Sequence, residues 1–348
     1  MKGRIFVVNH DYMLNLNKDM EIKAKLPPLE RSQWYKSVTS LLADMFQVQL
    51  GDYAFLWETK GNNSDSFIWG VYRIISNPFF DYVEPNFVKF KIEPAYLFET
   101  PLTEYDILND PYNKIDLWNI VGKKIAEKRR ASTQLSPYET EFLIQKLIDK
   151  NPSFTYLPYT YKNIKVDNEI KINFDKFDSP QLCTYSEIDF RNISYINRNG
   201  TVKYEKFMEL LFNYFIKNKN YEVLNKFGID INNIFWYANY LPYSMDKSEI
   251  DYLIMEASDS INVDKINVIE FQKGKLDEDH INRTLFYSKW INSTLAKGSN
   301  LAQPILVCEK FNDLESVIIE KQKLYNTKSL NIYIINLKNG IITIEKRR

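Results

Sequence analysis

Apolar residues recur along this chain in two rhythms, and each change of rhythm marks where one element ends and another begins. In residues 203–216, Phe207, Leu210, Leu211, Tyr214 and Phe215 recur at steps of three and four, the spacing of one helix face. The same spacing predicts helices over residues 34–46 (Val38, Leu41, Leu42, Met45), 117–128, 277–295 (Ile281, Leu285, Ile291, Leu295) and 314–324. Ser136-Pro137-Tyr138-Glu139 adds a start signal, a Ser cap with Glu three residues on, opening a helix to about Ile148. Short apolar or alternating runs predict strands over residues 4–8, 53–57, 67–75, 87–92, 304–308, 331–337 and 341–344. Gly51-Asp52 leads into the second of these as a turn, and Asn339-Gly340 joins the last two as a hairpin.

These elements fall into two halves. Residues 1–150 read as a small sheet curled into a barrel and flanked by helices. Residues 201–348 run helix, strand, strand, helix, strand, helix, strand, the order of an α/β mixed sheet. Between them, residues 151–200 hold Pro152, Pro158 and Pro180 and only a weak alternation over 163–174, which predicts a connector carrying one hairpin. A length of 348 residues accommodates two such domains.

Composition removes several function classes. Ten glycines and no Walker or dinucleotide-binding pattern argue against a nucleotide cofactor. Lys+Arg and Asp+Glu are equal at 45 each, so a polyanion partner would have to be held by local patches. Lys123-Lys124 and Lys128-Arg129-Arg130 are such clusters, and a solvated helix face explains them equally well. Two cysteines, Cys183 and Cys308, fit a reducing cytoplasm and exclude a Cys-based zinc site. No apolar run reaches membrane-spanning length and the first residues do not read as a signal peptide, so a cytoplasmic protein without membrane contact is expected. With only His10 and His280, histidine-rich metal chemistry is not expected, and His280 reads as a helix-start residue without a chemical role.

The chemistry concentrates in Ser248-Glu249-Ile250-Asp251-Tyr252-Leu253-Ile254-Met255 and Asn267-Val268-Ile269-Glu270-Phe271-Gln272-Lys273-Gly274-Lys275. Each run is apolar with one acid inside it. Paired as strands, they would set Asp251 beside Glu270, with Gln272 on the same face as Glu270 because side chains alternate. Two carboxylates and an amide at one strand end form a hard-oxygen site for Mg²⁺, with Mn²⁺ as a substitute. Such a metal activates water and stabilises charge on a phosphate, which is what cutting a phosphodiester requires.

Residues 201–348 resemble the PD-(D/E)XK nuclease superfamily, in element order and in these motifs. The helix Gly200-Thr201-Val202-Lys203-Tyr204-Glu205-Lys206-Phe207-Met208-Glu209 is similar to the family's first helix, whose acid after an aromatic reaches the metal. Glu205 matches it and Glu209 is the alternate, so the resemblance implies metal ligands Glu205, Asp251 and Glu270. It also implies a Lys that orients the attacking water, where this chain has Gln272. Gln272 can orient water by hydrogen bonds but brings no charge. Lys273 and Lys275 are nearby, and Lys275, past Gly274, is the better placed substitute. In the helix His280-Ile281-Asn282-Arg283-Thr284-Leu285-Phe286-Tyr287, Arg283 suits a phosphate contact through its planar fork. Tyr287 is either a second phosphate contact or core.

Residues 3–148 resemble the PUA-like superfamily, in its EVE and YTH branches. The pattern is Ile5-Phe6-Val7-Val8-Asn9, then Trp34, then Leu50-Gly51-Asp52-Tyr53-Ala54-Phe55-Leu56-Trp57, then Trp69-Gly70-Val71-Tyr72-Arg73-Ile74-Ile75-Ser76-Asn77-Pro78-Phe79-Phe80-Asp81. The resemblance implies a flipped modified base held among aromatic faces, with Asn9 and Trp34 around it and Phe79 or Phe80 beside them. Trp57 and Trp69, inside apolar strands, read as core. Together the two resemblances imply a modification-dependent, type IV-like DNA restriction endonuclease. It would act as a homodimer on duplex DNA, since cutting both strands needs two sites. A repair endonuclease that reads mismatches or branches, and a non-catalytic DNA- or RNA-binding protein with a degenerate site, are the alternatives.

Overall fold

The computed structural model describes residues 2–26, 34–59, 66–80, 84, 86–109, 120, 132–152, 162–166, 169–173, 201–242, 249–259, 262–338 and 341–348. The chain divides into two compact units, residues 1–28 with 48–188, and residues 29–47 with 189–348. Strands are β1 (Gly3–Asn9), β2 (Glu21–Lys25), β3 (Tyr53–Thr59), β4 (Ser66–Ile74), β5 (Phe79–Phe80), β6 (Phe87–Thr103), β7 (Thr133–Leu135), β8 (Lys162–Val166), β9 (Glu169–Asn173), β10 (Ile234–Pro242), β11 (Glu249–Glu256), β12 (Lys265–Lys275), β13 (Ala302–Lys310), β14 (Asn331–Lys338) and β15 (Ile341–Lys346). Helices are α1 (His10–Asp19), α2 (Trp34–Phe46), α3 (Glu104–Leu108), α4 (Pro137–Lys150), α5 (Lys206–Lys217), α6 (Tyr221–Lys226), α7 (Glu278–Ser293) and α8 (Glu315–Tyr325).

The first unit is a mixed sheet ordered β2-β6-β4-β3-β1-β7, with β5 also on β6. Among the described residues its one parallel pair is β1 with β3. The curled barrel expected from sequence is present in part, as a half-barrel sheet in which β2 and β7 do not pair among the described residues. Strand β6 is far longer than the alternation over 87–92 predicts. Its early residues carry β2 and β5 and its later ones β4. Pro94 looks like a stop, but it sits at a register shift, where a missing N–H is tolerated. One face buries Ile5, Phe55, Val71, Phe98 and Leu102 against Leu143 and Leu147 of α4. The predicted start of α4 is present as a full capping box: Glu139 N donates to Ser136 Oγ (3.1 Å) and Ser136 N to Glu139 Oε2 (2.8 Å). The weak alternation over 163–174 is the hairpin β8–β9. Of the helix predicted over 117–128 the described residue is Ile120, helical and buried, and the basic clusters and the Asn339-Gly340 turn lie outside the described residues.

The second unit is a six-stranded sheet in sequence order, β10 to β15. β12, β13 and β14 are parallel, and β10, β11 and β15 extend them antiparallel. Strand β10, unanticipated from sequence, covers the edge beside the acidic strand β11. One face packs under α7 and α8 through Ile281, Leu285, Leu306, Cys308 and Ile318. On the other, Phe212 of α5 meets Tyr252 and Phe271, with ring centroids 5.9 and 5.0 Å away. Among the described residues no helix is long and apolar enough to cross a membrane.

Helix α2 has the bounds its periodicity predicts, but it belongs to this second unit rather than to a 1–150 domain. The reason is a buried amide. Asn213 of α5 donates from Nδ2 to the Ala43 carbonyl of α2 (2.7 Å), and its Oδ1 accepts from the Tyr252 hydroxyl of β11 (2.5 Å). Tyr237 of β10 likewise donates to the Gln47 carbonyl (3.4 Å). Replacing Asn213 by Leu would strand two buried polar groups. The Asn213→Leu variant is expected to lose about 2–4 kcal/mol of stability, read as a lower urea midpoint at unchanged slope.

Candidate functional site

The antiparallel register of β11 and β12 runs from Glu256↔Lys265 to Tyr252↔Ile269. One step further it sets Asp251 opposite Glu270, on one face. There the side chains take over from the ladder. Asp251 N donates to Glu270 Oε1 (3.1 Å), and Phe271 N donates to Asp251 Oδ2 (2.9 Å). Each carboxylate is thereby fixed by the other strand's backbone. Both acids are buried, as the apolar runs around them dictate.

Cations approach from two helices. Arg283 of α7, half-exposed, places Nη2 3.6 Å from Glu270 Oε2. Lys206, in the first turn of α5, places Nζ 2.9 Å from Glu209 Oε1 and 3.9 Å from Asp251 Oδ1, above the Tyr240 ring at 3.6 Å. Asn239 Nδ2 donates to the other Glu209 oxygen (3.4 Å). Burial raises the Glu270 pKa well above the carboxylate range, and the Asp251 charge raises it further against the pull of Arg283. Burial, then the Asp251 charge, also raises Glu205. Glu209, fully enclosed, is lifted by burial to about 8 despite Lys206.

The residues suit a hard cation. Glu270 Oε2 is buried and has no hydrogen-bond partner among the described residues. A carboxylate oxygen left in that state fits a positive ligand. Mg²⁺ commonly takes one or two carboxylates and leaves its other places to water and substrate phosphate. Asp251 and Glu270 meet that need. Glu205 does not join them: its Oε2 accepts from Lys273 N (3.3 Å), and among the described residues no three His, Cys, Asp or Glu side chains form a metal-binding group. The expected three-carboxylate shell is therefore an assembled pair with a third acid held on the backbone nearby.

Three further expectations from sequence are placed differently. Gln272 is tied into the turn after its own strand. Its Nε2 donates to the Lys275 carbonyl (2.5 Å) and to Asp277 Oδ2 (2.7 Å), and its Oε1 accepts from Asp277 N (3.2 Å). Gly274, at φ +86°, lies inside β12 where the register against β13 shifts between Gln272 and Lys275, and its N–H donates to Glu309 Oε2 (2.7 Å). Lys275 beyond it is exposed, and Lys273 Nζ donates to the Lys203 carbonyl (2.8 Å). Tyr287 is buried beside Phe286 and is core, the other of its two readings. Lys206 was missed because nothing in a helical repeat says which charged residue will bend back onto a strand.

Of the residues expected around the base, the side chains of Asn9 and Phe79 are among the described ones. Asn9 is exposed, but its Oδ1 caps α1 by accepting from Tyr12 N (2.8 Å). Phe79 is buried in β5. Trp34 opens α2, which belongs to the second unit, and its side chain lies outside the described residues, as does that of Phe80. A different cluster stands beside Asn9. The fully buried Glu58 carboxylate bonds His10 Nδ1 through Oε1 (2.5 Å) and accepts the Trp69 indole N–H through Oε2 (2.5 Å). Both rings are partly exposed, so Trp69 is not the core residue its strand position predicts. One buried carboxylate thus fixes two flat rings at the sheet surface. The lone acid in the apolar run 53–59 was the available signal.

No family model matches the chain, and no curated protein matches it. Solved structures with some likeness include Rpa0253 from Rhodopseudomonas palustris (16% identical, 42% of this chain, 93% of that chain, TM-score 0.30). A hypothetical protein from Leishmania major is another (10%, 43%, 96%, 0.32). Human THYN1, solved in complex with 5-methylcytosine-containing DNA, is a third (8%, 42%, 98%, 0.25). TM-scores of this size carry no inference for this chain.

The raised Glu209 pKa has a stability consequence. Because the folded value, about 8, lies above the ordinary 4.5, the folded state holds the proton more tightly than the unfolded one. Its contribution is whole below about pH 4.5 and is lost as pH rises toward 8. Between those limits the Glu209→Gln variant should gain stability relative to the parent as pH rises. Urea midpoints of both proteins at several pH values check this, and a constant difference would refute it.

Proposed function

We propose that the chain is a Mg²⁺-dependent DNA endonuclease directed by a modified base, with cleavage in the second unit and reading in the first. The observation that carries the nuclease reading is the Asp251/Glu270 pair, buried, locked across two strands, with one Glu270 oxygen lacking a hydrogen bond among the described residues and Arg283 beside it. The motif resemblance agrees with it.

Asp251 and Glu270 would hold the metal, which when bound supplies a strong electrophile for the phosphate and lowers the pKa of water. Burial keeps the two carboxylates from being quenched by bulk solvent, and the Asp251 and Phe271 amides stop them from splaying. Arg283, half-exposed beside Glu270, would contact a neighbouring phosphate of the strand through its planar fork. Cutting both strands of a duplex requires two such sites, hence two copies of the chain.

For the reader, the fixed rings of His10 and Trp69 are the groups suited to a flat base. Stacking on an aromatic face contributes about 1–3 kcal/mol per base, and a methyl group adds apolar contact. The two rings' hold on Glu58 means they need not be ordered when the ligand arrives. A second reading is favoured by Gln272, whose amide is spent on its own turn. On that reading the site is degenerate and the chain only binds.

Cleavage of matched plasmid DNA, unmodified or carrying methylated or hydroxymethylated bases, separates these readings. Cutting is expected only of a modified plasmid, lost in EDTA and reduced at least about 100-fold in Glu270→Ala. Cutting blind to modification would remove the reader assignment. Binding without cutting would leave the non-catalytic protein. For the first unit, Trp69→Ala is expected to weaken binding of the modified duplex about 10-fold or more without altering that of the unmodified one; equal loss on both would refute the base contact.

A further inference from the structure

We infer that Lys206 is a catalytic residue of this site, its ammonium contacting the phosphate under attack and supplying the positive charge that Gln272, Lys273 and Lys275 do not bring. The inference rests on the nuclease reading above and adds to it the residue that opposes the charge of the transition state.

Three observations place that charge. The residues on β12 that sequence offers for the role are engaged or directed elsewhere: Gln272 bonds the Lys275 carbonyl and Asp277, Lys273 Nζ donates to the Lys203 carbonyl, and Lys275 lies past the register shift at Gly274 in an exposed position. Lys206 reaches the acid pair from a different element, 3.9 Å from Asp251 Oδ1. Its position is built: Glu209, wholly buried, fixes Nζ at 2.9 Å, and the Tyr240 ring lies 3.6 Å beneath it. These holds do not involve Asp251, so they persist when Asp251 turns to a metal. Tyr240 has a left-handed backbone, φ +52°, unusual for a non-glycine residue inside a strand, and that conformation accompanies the ring's place under Nζ. A conformation of this kind is costly enough that its occurrence at a site is informative.

In hydrolysis the oxygen of water forms a bond to phosphorus while the bond from phosphorus to the leaving deoxyribose oxygen breaks, its electron pair going to that oxygen. The water gives its proton to solvent and the leaving oxygen takes one from solvent. Lys206 keeps its protons throughout. Its N–H groups donate to a non-bridging phosphoryl oxygen, where negative charge grows, and a fixed cation there in a partly dry site lowers the barrier.

The test uses the full chain and four variants, Lys206→Met, Lys206→Arg, Lys273→Met and Lys275→Met. Single-turnover cleavage is measured alongside Mg²⁺ affinity by calorimetry and unfolding temperature. Lys206→Met is expected to cut at least about 100-fold more slowly, with Mg²⁺ affinity kept or increased because a competing cation has gone. Lys206→Arg, which retains charge and covers the case in which Met disturbs folding, is expected to recover part of the rate. Wild-type cutting by both Lys206 variants, loss of rate only in Lys273→Met or Lys275→Met, or a Lys206→Met that fails by losing Mg²⁺, would each overturn the assignment while the nuclease reading stands. A parent chain that neither binds Mg²⁺ nor cuts overturns both.

Discussion

Asp251 and Glu270 are carboxylates set into two strands whose other residues are apolar, and burying them side by side is costly unless something offsets it. The fold offsets part of the cost with backbone amides, each strand donating one N–H to the other's acid. It offsets more with cations on two helices, Lys206 and Arg283. What remains shows as raised carboxyl pKa values at Glu270, Glu205 and Glu209, and as a buried Glu270 oxygen without a hydrogen bond among the described residues. A sheet selected for stability alone would carry aliphatic residues at these places, because removing a buried ion pair in favour of packing is often neutral or better.

The rest of the second unit follows from holding that pair in place. β10 covers the edge next to β11, and α5 lies across one face so that its first turn delivers Lys206 while Phe212 packs on Tyr252 and Phe271. α2 is drawn into the unit by the bonds from Asn213 and Tyr237 to its last turns. The first unit repeats the device at smaller scale, with one buried carboxylate, Glu58, spent on orienting His10 and Trp69 at the sheet surface.

Much of this was legible in the sequence where local pattern and tertiary need coincide. The Ser136 cap, the face of α2, the two acidic strands and their same-face register are set by spacing within a few residues, and spacing is what a sequence displays. The bounds of β6 were not, because Pro94 reads as a stop until a register shift accommodates it. The membership of α2 was not, because an amphipathic helix does not state which sheet its apolar face will meet. At the site, Asp251, Glu270 and Arg283 stood out as polar residues at ordered positions. The engagement of Gln272 was not legible, because it depends on a register shift at the left-handed Gly274 and on bonds to Asp277 beyond the strand end. The contacts of Lys206 with Asp251 and of Glu58 with His10 were not legible because each joins segments far apart in the chain, although the lone acid in the run 53–59 was a signal for the latter.

Whether the Asp251/Glu270 pair is a cation site is read by thermal unfolding of the full chain across a Mg²⁺ titration. A ligand that binds only the folded state raises the unfolding temperature in proportion to the logarithm of its concentration above its Kd. A rise is expected for the parent chain and none for the Asp251→Asn/Glu270→Gln double variant, whose starting stability should be no lower because two buried carboxylates have gone. No rise in the parent, or the same rise in the variant, would contradict the cation site.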